Sequence, residues 1–276
     1  MPSMGLIPRL ASVLTAALVW LPAGAADARE AIEAAVNGAH RSEEHRARDA
    51  WRHPVETLDF FGVTPDMHVI EIWPGGAGWY TEILAPLLRD EGRLTVAIFG
   101  NQVDQFRDFM LRANDDLRAK LEADPAVYGK VEVTELWAPH QVDIAPPGSA
   151  DAVLTFRNVH NWIKWGQLEE VLATFHRALK PGGTLGITDH RAPPDQPVDK
   201  EANSGYVNEA WAIAQVERAG FELVDRSDVN SNPKDTADHP RGVWTLPPTL
   251  ALGDQDREKY LAIGESDRFT LKFRKK

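Results

Sequence analysis

The sequence predicts an α/β fold, a largely parallel sheet with helices on both faces. Three observations predict it. Short apolar runs at 68–72, 94–99, 152–156 and 184–188 alternate with segments at 101–123, 167–179 and 207–219 whose apolar residues recur at helical spacing. A glycine-rich stretch, 69–81, joins the first such run to the first helical segment. Lys180-Pro181-Gly182-Gly183 ends a helix directly before another apolar run.

Taken in order, the chain opens on a leader. Residues 1–9 are positive, 10–21 are apolar, and Pro22-Ala23-Gly24-Ala25-Ala26 places Ala23 and Ala25 where a signal peptidase reads small residues. That is the layout of a signal peptide cleaved after about Ala25. The apolar part is short for a membrane span, which needs ~20 residues. The alternative is an uncleaved N-terminal anchor; either way the body of the chain is expected in the periplasm or outside the cell, and the mature chain with no stable membrane insertion.

Residues 26–61 read as an N-terminal helical extension, with a helix at 30–37 and a charge-dense segment at 41–61 broken at His53-Pro54. Arg48, Arg52 and His53 are either a solvated charged face or a lid over a ligand site. Residues 62–276 read as one domain. It has strands at 68–72, 94–99, 131–136, 152–156, 184–188 and 222–229, and a last alternating strand at 269–274. The connection at about 230–268 is long for a compact domain, the kind of segment that forms lids or partner surfaces. Its Trp244 either covers an apolar substrate or plugs the core.

Bulk properties exclude several functions. The net charge of −11 argues against a nucleic-acid partner, which requires clustered Lys and Arg. The absence of cysteine rules out disulfides, thiolate metal sites and a Cys nucleophile. A metal held by converging His160, Asp189 and His190 is a rival reading, but no close-spaced metal motif occurs, so no metal is expected; the absence of a G-x-S-x-G elbow argues against a nucleophilic Ser. The sequence does not set the oligomeric state.

The chemistry concentrates in three places. In Val69-Ile70-Glu71-Ile72-Trp73-Pro74-Gly75-Gly76-Ala77-Gly78-Trp79, glycines let the backbone approach a ligand, and Glu71 ends the strand as a hydrogen-bond acceptor. Phe156-Arg157-Asn158-Val159-His160-Asn161-Trp162 follows a strand that ends at the same crevice, and His160 has the pKa range of a general base. Asp189-His190-Arg191 ends the next strand. Side chains alternate along a strand, so Asp189 is expected to pair with His160 across the sheet rather than with His190. Tyr206 is a candidate for the pocket edge.

These motifs resemble the class I S-adenosylmethionine (SAM) dependent methyltransferases over 54–275. The acidic-glycine motif falls on 71–78, the fourth-strand motif on 148–156 and the Leu-Lys-Pro-Gly-Gly turn on 179–183. More narrowly, 156–162, 189–191 and Gly264-Glu265-Ser266-Asp267-Arg268 resemble exported bacterial proteins labelled predicted methyltransferases. The resemblance implies a Rossmann-like, doubly wound sheet of seven strands with the last antiparallel, SAM as cofactor, and a small-molecule substrate. It implies a cofactor site of Glu71, Gly75, Gly76, Gly78, Trp79, Phe156, Arg157 and Asn158, and a catalytic group of His160, Asp189 and His190. The alternative is a non-catalytic binding protein that keeps the fold. Three departures stand out. Trp73 and Ala77 occupy the first and third glycine positions, with Gly78 offering a shifted register. The second strand ends without a carboxylate, leaving Asn101, Gln102 or Asp104 as substitutes. An exported chain also lies away from the cytoplasmic supply of SAM.

Overall fold

The computed structural model describes residues 23–101 and 107–276. The leader expected at 1–25 lies outside them except for its last three residues, which begin helix α1 (Ala23–Val36). Gln102 and Asp104 also lie outside.

Seven strands form one sheet in the order β3-β2-β1-β4-β5-β7-β6. They are β1 (His68–Ile72), β2 (Arg93–Phe99), β3 (Glu132–Leu136), β4 (Ala150–Phe156), β5 (Leu179–His190), β6 (Phe221–Ser227) and β7 (Arg268–Lys275). β1 pairs in parallel with β2 and β4, and β4 with β5. β7 is inserted antiparallel between β5 and β6. Strand order reverses beside β1, so the C-terminal ends of β1 and β4 open a crevice.

The local sequence explains the elements. β1 is buried at all five positions, as a central parallel strand requires. The break expected at His53-Pro54 divides the second half of the extension. α3 (Asp49–Arg52) stops on His53, which is left-handed at φ 39°, and Pro54 begins α4 (Pro54–Phe61). Ser42 caps the preceding α2 (Glu43–Ala47). The helical segment expected after the glycine-rich stretch is α5 (Thr81–Leu88), and the described part of the one at 101–123 is α6 (Arg107–Ala123). A one-turn α7 (Pro125–Tyr128) leads into β3.

One element was not assigned from the sequence and one differs from expectation. Residues 157–162, which follow the strand expected at 152–156, turn into a short helix, α8 (Val159–Lys164), followed by α9 (Leu168–Ala178). The Lys180–Gly183 segment is not a separate turn. β5 begins at Leu179 and takes up the extra residues in a register shift opposite Ala150 and Ala152. Helix α10 (Glu209–Arg218) precedes β6. The 230–268 segment carries a 3-10 turn at Gly242–Thr245 and helix α11 (Arg257–Ile263).

The core lies on both faces of the sheet. One side gathers Ile70, Ile72, Trp162, Phe175, Ile187 and Phe269. The other gathers Ile32, Leu58, Phe61, Val69, Ile83 and Leu84, so α1 and α4 are part of the core. Among the described residues no helix is long and apolar enough to cross a membrane.

Candidate active site

A cleft of about 700 Å³ opens over the C-terminal ends of β1 and β4. Glu71, Gly75, Gly76, Trp79, Phe156, Arg157 and Asn158 all line it. Gly78 does not: at φ 55° it closes the turn from behind, where a Cβ would stand 2.7 Å from Leu117. Its glycine is required by the turn rather than by a ligand. Gly75 has φ 71° and open space where a side chain would be, so the backbone is bare to the cleft there.

Trp73 settles how the turn tolerates a bulky residue. It adopts φ 46°, a conformation normally left to glycine, which costs about 1–3 kcal/mol. Its indole is 4 % exposed, packs on Phe99, Trp137, Trp162 and Trp165, and donates to the Leu136 carbonyl at 3.1 Å. Burial of an aromatic side chain of this size offsets the backbone strain. The side chain packs into this aromatic cluster beneath the cleft, and Trp73 also forms part of the cleft wall.

Glu71 is buried on the cleft floor and accepts from Thr81 Oγ1 at 2.7 Å. Burial raises its carboxyl to about 7, against the opposing effects of the Thr81 hydrogen bond and Lys120. Asn158 donates to the Ile72 carbonyl at 2.9 Å and so ties the end of β4 to β1. Phe156 stacks on Tyr80 with ring centroids 3.6 Å apart.

Arg48 and Arg52 are not a solvated face. Both line the cleft, and Arg52 is 3 % exposed, with its guanidinium 4.6 Å from the Trp79 ring centroid. Their partner is Glu265, reached from Arg48 Nε at 2.7 Å and Arg52 Nε at 3.2 Å, with Arg268 Nη1 at 3.1 Å. Burial alone would raise the Glu265 carboxyl, but Arg52, Arg268, Arg48 and Arg157 overcome it and hold the group well below the carboxylate range. Sequence reasoning missed this partner, as it missed Asp116 of α6, which also lines the cleft.

Asp189 pairs with His160 as expected, Oδ1 lying 3.1 Å from Nδ1. The carboxylate is fully buried and also accepts the backbone N–H groups of Val159 at 2.6 Å and His190 at 2.7 Å. Donation from Nδ1–H leaves Nε2 of His160 as the nitrogen that can take a proton. The short helix α8 makes this geometry possible, because its first N–H groups point at Asp189.

The His190 ring is 5.3 Å from that of His160, and its Nδ1 lies 2.5 Å from Ser266 Oγ. Burial, with the charges of His160, Arg157, Arg268 and Arg52, pushes His190 well below the usual histidine range, so it is neutral. His160, Asp189 and His190 bring ligating atoms within 4.8 Å of one another. The surrounding guanidinium groups oppose a cation, and Asp189 is already saturated by N–H donors, so the set does not fit a metal.

His160 opens onto a second pocket of about 810 Å³, which shares Phe99 and Phe109 with the cleft. The 230–268 segment supplies one wall through His239, Arg241 and Trp244. Trp244 is half-buried, standing edge-on to His160 at 6.0 Å on the pocket wall while packing on the Val243 cluster. Tyr206 is not at the pocket edge. It is 2 % exposed and donates to Asp235 at 2.8 Å, which anchors the segment.

Parallels come from solved structures. A SAM dependent methyltransferase from Aquifex aeolicus superposes with a TM-score of 0.53 at 15% identity, over 89% of this chain and 97% of that one. The chain has the fold of the class I SAM-dependent methyltransferases. The arsenic(III) S-adenosylmethionine methyltransferase of Chlamydomonas reinhardtii matches with a TM-score of 0.50 at 13% identity, over 88% of this chain and 72% of that one. SpnF, a (4+2)-cyclase, matches with a TM-score of 0.51 at 16% identity, over 87% of this chain and 84% of that one. No protein-family model matches the sequence, and no curated protein matches it.

Proposed function

We propose that this protein is a SAM-dependent methyltransferase that acts on a small molecule after export to the periplasm or beyond. The observation that carries the reading is the cleft over the glycine turn, with Glu71 on its floor and a general-base pair one strand away. The residues fit the cofactor. Gly75 leaves the backbone bare to a ligand, Glu71 accepts hydrogen bonds, and Asp116 of α6 stands against Gly76 as a carboxylate where β2 ends without one. The leader at 1–25 supports the location.

SAM supplies an electrophilic methyl group on its sulfonium. The chain's own work is positioning and desolvation. Asn158 fixes β4 against β1 so that the cleft and the second pocket keep a constant separation. His160 Nε2 takes the acceptor's proton, and Asp189 holds the tautomer and stabilises the imidazolium that forms. Phe99 and Phe109, which line both pockets, limit water where the two meet.

Calorimetric titration of the mature protein with SAM tests the reading, and no binding at millimolar cofactor overturns it. A Gly76→Val variant presses on Asp116 and Ala113 and should bind less SAM; wild-type affinity would displace the site from this turn. A second reading, a binding protein that keeps the fold, is favoured by Trp73 and Ala77 at two of the family's glycine positions. The same titration decides against it if methyl transfer follows binding.

A further inference from the structure

At one end of the cleft, positive charge outnumbers negative. Arg48 and Arg52 arrive from the N-terminal helices, Arg157 from the end of β4 and Arg268 from the start of β7. Of the described carboxylates, Glu265 sits among them, with hydrogen bonds to three of the four. Asp189 contributes a second negative charge to Arg157, but its oxygens already accept backbone N–H groups and His160.

Donors are left over. Among the described residues, Nη2 of Arg48, Nη2 of Arg52 and Nε of Arg268 are buried without a hydrogen-bond partner. Arg48, Arg52 and Arg157 line the cleft. Arg157 is held there in a left-handed conformation at φ 63°, a cost that a merely solvated arginine has no reason to bear. A buried guanidinium with unmatched N–H groups is a destabilising arrangement that an acceptor with paired oxygens relieves. Burial and the charges of their neighbours weaken the hold of Arg52 and Arg157 on their protons, which a bound anion reverses.

We infer that the Arg48, Arg52 and Arg157 end of the cleft is an oxyanion site that takes a carboxylate or phosphoryl group of the small molecule bound there. The inference rests on the proposed function for the identity of that molecule, not for the site. Two sources share the chemistry, the carboxylate of a SAM-type cofactor and an acidic group on the acceptor.

The test begins without cofactor. Inorganic phosphate is titrated into the full chain at constant ionic strength, with tryptophan fluorescence as readout because Trp79 stacks on Arg52. Saturable binding is expected. Arg157→Asn is expected to weaken it about tenfold or more. Asn tolerates the left-handed backbone, and Glu265 keeps its three hydrogen-bonded arginines, so the variant folds. Arg274→Gln, which removes an exposed cation on β7, should bind as wild type. No saturable binding, or equal binding in Arg157→Asn, overturns the site.

The source follows from two further probes. If the site holds the cofactor's carboxylate, S-adenosylhomocysteine competes with phosphate, and Arg157→Asn weakens it while leaving 5′-methylthioadenosine, which lacks the carboxylate, unchanged. If the site holds the acceptor's anion, phosphate and S-adenosylhomocysteine bind together; either pattern supports the oxyanion site. Phosphate binding with neither nucleoside bound leaves the oxyanion site standing and overturns the methyltransferase reading instead.

Discussion

Glu71 and Glu265 are the same residue, buried to the same degree, near the same cleft, and they sit at opposite ends of the carboxylate range. Glu71 is 2 % exposed and is raised to about 7 by burial, with one hydroxyl partner. Glu265 is 3 % exposed and is held far below the usual range because four guanidinium groups overcome the same burial. Desolvation sets the direction only where nothing opposes it. One acid is shifted towards its neutral form; the other is an anion that ties the N-terminal helices to β7.

The comparison breaks most visibly at Glu265. Glu265→Gln leaves buried cations without their carboxylate and is expected to lower stability by about 3–5 kcal/mol in a denaturant titration at pH 7. The wild-type contribution from this residue is present above the unfolded pKa near 4.5 and is lost as pH falls below it, because its folded value is depressed. The variant should lack that acid-limb loss.

Glu71 behaves in the opposite sense. Its folded value of about 7 stands above the unfolded 4.5, so the native state binds the extra proton between those values. Its contribution is full below pH 4.5 and is lost as pH rises to about 7, a change of up to about 3 kcal/mol. Stability measured from pH 4 to 8 should fall less steeply with pH in Glu71→Gln; an unchanged slope would show that burial does not raise this acid.

Smaller changes sharpen the contrast. Arg48→Gln removes one charged hydrogen bond but leaves Glu265 with Arg52 and Arg268, so a loss of about 1.5–3 kcal/mol is expected from the same titration. Thr81→Val removes the hydrogen bond that favours ionised Glu71. It should cost about 1 kcal/mol at pH 8 and move the midpoint of the Glu71 titration upward, readable by carboxyl NMR.

What the sequence revealed was local or followed from topology. The strand, glycine turn and helix at 68–88 are visible because apolar period and glycine act within a few residues. The Asp189–His160 pair was legible because Asp189 ends β5 and His160 follows the end of the neighbouring parallel strand β4, so topology brings them together; the helix α8 that completes the contact left no signal that was read. Arg48 and Arg52 were ambiguous because their partner lies 217 and 213 residues away, and no periodicity links such positions. Trp73 was ambiguous for another reason. A positive φ at a tryptophan depends on the aromatic cluster that compensates for it, and that cluster is drawn from four segments of the chain. Gly78 lies behind the cleft wall rather than on it, a placement that sequence does not reveal, because a glycine required by a turn and one required by a ligand look alike.

The position of β7 also bears on when the cleft comes into being. This strand fills a gap between β5 and β6, and Glu265 and Arg268 stand at its entrance. During synthesis these residues leave the ribosome after everything they join. A chain can therefore pair β1 to β5 while its arginines still repel one another, until residues 265–268 arrive. Charge matching at this end of the cleft then reports the docking of β7, and not the folding of the glycine turn alone.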